Sequence, residues 1–165
     1  MNIKRILKHT TTTHGAVKRA FPSRTLEAIE AAVKASERTH VGEIRFAVEA
    51  ALDGLPLFKG QSPRERAIEL FAQLGVWDTE HNNGLLIYIL LADRAVEIVA
   101  DRGIHSKVGA EEWSSVCRRM NEAFSQSNYE RGAIDGIEAV TRHLANHFPV
   151  DRRMRNELSD APVVL

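Results

Sequence analysis

A single cysteine, Cys117, stands among 165 residues, so the chain can close no disulfide on itself and build no thiolate zinc cluster. Long apolar runs are missing too. The longest, Leu85 to Ala92, is far short of the ~20 residues that a bilayer-crossing helix needs. Neither sign of charge is in excess, with 22 Lys and Arg against 22 Asp and Glu. There is no Walker phosphate loop, no Gly-x-Gly-x-x-Gly after a strand, no Gly-x-Ser-x-Gly elbow and no Cys-x-x-Cys. Nucleotide hydrolases, dinucleotide oxidoreductases, α/β-hydrolases and thioredoxin-like proteins therefore lack their mechanical parts, and no nucleotide or organic cofactor is expected. What is present is ordinary globular material, 44% hydrophobic and 27% charged, enough for one compact core.

The zero net charge hides a segregation. Residues 1–24 carry Lys4, Arg5, Lys8, Lys18, Arg19 and Arg24 with no acid, which leaves the rest with 16 cations against 22 acids, a net −6. A basic arm over 1–22 reads either as a solvated end or as a contact for anionic lipid headgroups. Nucleic acid is the lesser expectation, because no aromatic residues are interleaved with the cations. A secretory leader would need an apolar stretch, whereas Ile6 and Leu7 run at once into Lys8, His9 and four threonines. The expected location is the cytoplasm, or the periphery of the inner membrane.

Hydrophobic periodicity places the elements. Leu26, Ile29 and Val33 recur at helical spacing over about 23–38, and Ile44, Phe46 and Val48 then alternate with Glu43, Arg45 and Glu49 as in a strand. Asp53, Gly54 and Pro56 open a loop that ends at Ser62. There Ser62-Pro63-Arg64-Glu65 forms a capping box with proline at the first helical position, and the helix runs to Gly75. Leu85 to Leu91 is apolar at every position, which a strand tolerates only with both faces covered. A turn at Ala92-Asp93-Arg94 leads into an alternating strand that ends at Asp101. A polar loop then reaches a helix with Trp113, Val116, Cys117, Met120 and Phe124 on one stripe, which makes Cys117 a core residue rather than a nucleophile. A last helix carries Ile134, Ile137, Val140 and Leu144 and stops at Pro149. The expected fold is α/β (α+β), a mixed sheet of about three to five strands with helices on its faces. A single domain spans 23–149, between the arm and a mobile tail over 150–165.

The Gly-Glu-Ile-Arg-Phe first strand, the stretch Phe71 to Trp77 ahead of Asn83-Gly84-Leu85-Leu86, the hairpin end Asp101-Arg102-Gly103-Ile104, and Tyr129-Glu130-Arg131-Gly132 followed by Ile134 and Ile137 together resemble the TPM domain family. The resemblance covers roughly residues 40–148. It implies a sheet sandwiched by helices, with acidic loops at the strand ends that bind calcium in some members, and an acid phosphatase activity in some. It also implies a protein partner, such as membrane-bound TPM relatives. Two positions depart from the family pattern. His81 and Asn82 stand where relatives often carry an acid before Asn-Gly, and Asp101-Arg102-Gly103 stands where they often have Gly-Tyr-Gly. The signal peptide and C-terminal membrane helix of many bacterial relatives have no counterpart in this sequence.

Strand parity puts Glu43, Arg45 and Glu49 on one face of the first strand, and Glu97 and Asp101 on one face of the third. Charges beneath a helix must be paired or coordinate a cation. Oxygens of Glu43, Asp78, Glu80, Asn83 and Asp101 would suit Ca2+ or another divalent cation. The simpler alternative is an ion pair between Arg45 and Glu97. His143 and His147, four apart, read as a metal pair or as cations at a helix C-terminus, and His105 as a general acid–base or a surface residue. Two functions are carried forward. One is an interaction module near a membrane protein complex, with a cation at the sheet-end loops. The other is a metal-assisted acid phosphatase-like hydrolase with Asp101 and Arg102 catalytic.

Overall fold

The apolar run Gly84–Leu90 forms a strand buried at all seven positions, and the rest of the molecule is arranged around it. The computed structural model describes residues 3–150 and 156–165. In chain order the elements are α1 (Ile3–Thr11), α2 (His14–Ala20), α3 (Ser23–Ser36), β1 (Glu43–Glu49), α4 (Gly54–Phe58), α5 (Pro63–Gln73), β2 (Gly84–Leu90), β3 (Ala95–Ala100), α6 (Arg102–Val108), α7 (Ala110–Ser125), α8 (Tyr129–His147) and β4 (Val163–Val164). The sheet order is β3-β2-β1-β4. β1 runs parallel to β2 and β4, with Glu43 opposite Gly84, whereas β2 and β3 form an antiparallel hairpin. This is the mixed, helix-flanked α/β sheet expected from the pattern. Parallel β1 and β2 require a crossover, which α4 and α5 supply.

Both faces of the sheet are dry. Ile44, Phe46, Val48, Leu85, Ile87, Ile89, Val96 and Ile98 meet α3, α7 and α8 on one side. Ala47, Leu86, Tyr88, Leu90 and Val99 meet Leu57, Ala67 and Leu70 on the other. The capping box forms as the sequence indicates, with Glu65 N–H donating to Ser62 Oγ and Ser62 N–H to the Glu65 carboxylate. Such a cap contributes about 1 kcal/mol. Glycine is required at position 84, because a Cβ there would collide with the Val76 carbonyl oxygen. At position 103 a Cβ would strike the carbonyls of His81 and Asn82, so α6 rests directly on the loop before β2.

The two chain ends depart from their expected roles. The basic arm folds into α1 and α2. Arg5 bonds the Asp93 carboxylate at 2.7 Å, and His9, 3% exposed, accepts the Leu52 N–H on Nδ1 at 2.9 Å while Nε2 faces Asp93 Oδ1 at 3.0 Å. Since Nδ1 accepts, the ring proton sits on Nε2, toward the carboxylate. Phe21, just after α2, is buried among Phe46, Phe124 and Tyr129. Of the segment expected to be a mobile tail, residues 151–155 lie outside the described residues, and 156–165 dock along β1 as a strap that ends in β4. The physical reason is that β1 is left with an open edge, and Leu165 N–H bonds Val48 O while Ala50 N–H bonds Leu165 O. The polar loop expected after Gly103 is largely helix, α6, capped by the Asp101 side chain.

Candidate functional site

Three charges alternate on the β1 face that α5 covers, and each has its own partner. Glu49 accepts two bonds from Arg66 at 2.9 Å and one from the Tyr88 hydroxyl at 2.6 Å. Arg45 donates to the carbonyls of Ser159 and Ala161. Glu43 accepts the backbone N–H groups of Glu157 at 3.0 Å and Leu158 at 3.3 Å. The strap therefore closes over Glu43 and Arg45. The Arg45–Glu97 ion pair does not form, because β2 lies between β1 and β3; Glu97 faces Arg64 at 3.6 Å instead.

A cleft of about 490 Å³ opens at the end of the sheet where β1 and β2 begin. Its walls carry the carboxylates of Glu37, Glu43, Asp78, Glu80 and Glu157 and the imidazoles of His40 and His81. Two of these carboxyls, Glu37 and Glu43, resist ionisation. Burial, then a hydrogen bond and charge from Asp160, then the charge of Glu43 push Glu37 up to about 8. Burial likewise raises Glu43, although the two strap N–H groups pull the other way. His40 is 1% exposed with neither ring nitrogen hydrogen-bonded, and burial pushes it down to about 4 against a weaker pull from the Gly42 backbone. Glu37 thus keeps its proton at a pH where a carboxyl is ordinarily ionised, and His40 stays neutral well below the pH at which an imidazole ordinarily takes up a proton.

The structure brings Glu43, Asp78 and Glu80 of the expected cation ligands together in this cleft, but not Asn83 or Asp101. Asn83 is fully buried. It accepts nothing on Oδ1, its side-chain amide donates to Val41 O at 3.1 Å, and its backbone N–H donates to Thr79 Oγ1 at 3.1 Å, tying the loop to the start of β1. Asp101 caps α6 by accepting the Arg102 N–H at 2.7 Å, and its buried Oδ2 has no partner. Arg102 is exposed. His143 lies edge-on to Trp113 at 5.3 Å, His147 is exposed, and His105 sits on α6. Cys117 packs against the core, and burial pushes its thiol up to about 11. Glu37, His40 and Glu157 were not singled out from the sequence. The one local signal was Glu37 itself, an acid just past the C-terminus of α3, where the helix dipole disfavours it.

The donor set is made of hard oxygens that suit a divalent cation. Among the described residues no three His, Cys, Asp or Glu side chains stand at ligating distance as they are. An ion would have to draw in the exposed side chains of Asp78, Glu80 and Glu157.

The sequence profile of the TPM domain matches residues 18–143. The chain belongs to the TPM domain family. Among solved structures, this TPM domain is similar to the NMR structure of BA42 protein from the psychrophilic bacterium Bizionia argentinensis. The two are 28% identical with a TM-score of 0.74, over 88% of this chain and 95% of that one. It shares its fold with the N-terminal domain of a protein from P. gingivalis, 24% identical with a TM-score of 0.59, over 76% and 79% of the two chains. No curated protein matches. Among the described residues no helix is long and apolar enough to cross a membrane.

Proposed function

We propose that this TPM domain is a non-catalytic interaction module that works beside a membrane protein complex and takes a divalent cation, calcium or a relative, in the strand-end cleft. The observation that carries the reading is the gathering of five carboxyl groups, those of Glu37, Glu43, Asp78, Glu80 and Glu157, around one cleft whose lining, among the described residues, includes no Lys or Arg. A cation there would hold Asp78, Glu80 and Glu157 together, so that metal and strap would form one contact surface for a protein partner. The hydrolase alternative assigns catalysis to Asp101 and Arg102. Neither lines the cleft, and for that reason the module reading is preferred.

The test is a calcium titration of the full chain, followed by amide chemical shifts and thermal unfolding. Shifts are expected at Asp78–His81 and Asn156–Leu158, and at a hundredfold excess over Kd the ion adds about 2.7 kcal/mol of stability. Both effects should vanish in Asp78→Asn/Glu80→Gln. Shifts that survive in that variant, or none at millimolar calcium, would sink the reading. Phosphomonoester turnover lost in Asp101→Ala would favour the hydrolase.

A further inference from the structure

The end of the sheet remote from the cleft exposes apolar side chains that the core does not use. α1 packs Ile6 and buries His9 but leaves Ile3 and Leu7, one turn apart, 72% and 64% exposed. α4 buries Leu57 and leaves Leu55 and Phe58 69% and 57% exposed. The two helices are neighbours. His9 bonds Leu52 just before α4, and Arg5 donates to Gln61 O just after it, at 2.7 Å. The exposed Lys4, Lys8 and Lys59 are interleaved with these apolar tips.

Both anchors of α1 end at or near the β2–β3 turn and the exit of β1, so the helix is held in place with its apolar edge turned outward. Large apolar tips set among ammonium groups match the headgroup–acyl boundary of an anionic bilayer, where the tips enter and the cations meet phosphate. The exposed acids of the cleft, Asp78, Glu80 and Glu157, would be repelled by the same surface, which favours docking by the α1–α4 face.

We propose that the α1–α4 face is a peripheral docking surface for an anionic lipid bilayer. It deepens the module reading and rests on it only in placing the domain at a membrane. The docked domain turns its acidic cleft to solvent, roughly 20 Å from the lipid, the length of a seven-residue strand.

Full-chain protein is co-sedimented with phosphatidylcholine vesicles containing phosphatidylglycerol and with pure phosphatidylcholine vesicles. The anionic vesicles should bind at least about tenfold more strongly, and added salt should weaken that binding. Leu7→Ser/Phe58→Ser and Lys4→Glu/Lys8→Glu should each weaken it about tenfold. Val150→Ser, an exposed apolar position beside the His40–Pro149 bridge at the other end, should not. All four face residues are exposed, and unchanged thermal unfolding of the variants confirms that they fold. Trp77, 55% exposed beside Asp78, reports orientation, and acrylamide should quench it equally with and without vesicles. Equal binding to neutral vesicles, full binding by either double variant, or loss of acrylamide access overturns the proposal. No binding to any vesicle also overturns it and assigns the face to a protein partner. The calcium response is read without lipid, so either reading can fail alone. Lost vesicle binding with intact calcium shifts removes the docking face, and the reverse removes the cleft.

Discussion

The two ends of the sheet handle buried acid in opposite ways. Where β1 ends and the β2–β3 turn begins, Glu49 is matched by Arg66 and Tyr88, and Asp93 by Arg5 and His9. Burial alone would raise the Asp93 carboxyl, but the bonds from Arg5 and His9 outweigh it and hold it below the ordinary range. Where β1 and β2 begin, Glu37 and Glu43 have backbone N–H groups and other acids for company, and their carboxyls rise. The first arrangement stabilises the fold. The second leaves Glu37 and Glu43 in no ion pair among the described residues, and it is the arrangement on which the proposed cation site rests.

Substitutions can break this contrast, beginning with the largest effect. Glu49→Ala leaves the Arg66 guanidinium and the Tyr88 hydroxyl buried without their shared acceptor, and should cost about 3–5 kcal/mol in urea unfolding. Asp93→Ala removes the carboxylate that Arg5 and His9 both face. It should cost about 2 kcal/mol and speed amide exchange in residues 3–11, with no effect on the calcium response. Unchanged exchange in α1 would show that the helix is held by apolar packing alone.

At the acidic end the sign reverses. As pH rises from about 4.5 toward about 8, the unfolded chain ionises Glu37 while the folded chain keeps its proton, so this group's contribution to stability falls. Glu37→Gln escapes that loss and should be more stable than wild type at pH 8 by about 1 kcal/mol after solvent screening, and indistinguishable at pH 4. His40 acts in the other direction. Its contribution is full above about 6.5 and is lost as pH falls toward about 4, so His40→Gln should flatten the acid limb of the stability profile. Paired unfolding curves across this range check both signs.

The elements legible in the sequence are those whose apolar period is long enough to stand alone. α3, α5, α7 and α8 show it at helical spacing, and β1, β2 and β3 show it at two-residue alternation or as a continuous run. The capping box at Ser62 was readable because both of its bonds are local. α1 was hidden because nine residues of helix are marginal by themselves, and its anchor, Asp93, lies 88 positions from Arg5. β4 is two residues long and exists only because β1 offers an edge. At the candidate site, strand parity found Glu43, and the acidic loop supplied Asp78 and Glu80. Glu37 and His40 come from the α3–β1 connection and Glu157 from the C-terminal strap, two stretches that no local pattern connects to the acidic loop.

The order of the seven periodic elements, the two apolar faces of the sheet and the one charged face of β1 were determined by the chain's own periodicity, since a repeat of about 3.6 or 2 residues is a local property that fixes which face of an element is apolar. The tertiary structure alone decided which acids are neutralised and which are not. Pairing a buried charge requires a partner brought to within a few ångströms from far along the chain, and only the folded path of the two ends supplies Arg5 and His9 to Asp93 while giving Glu43 nothing but the backbone of the strap.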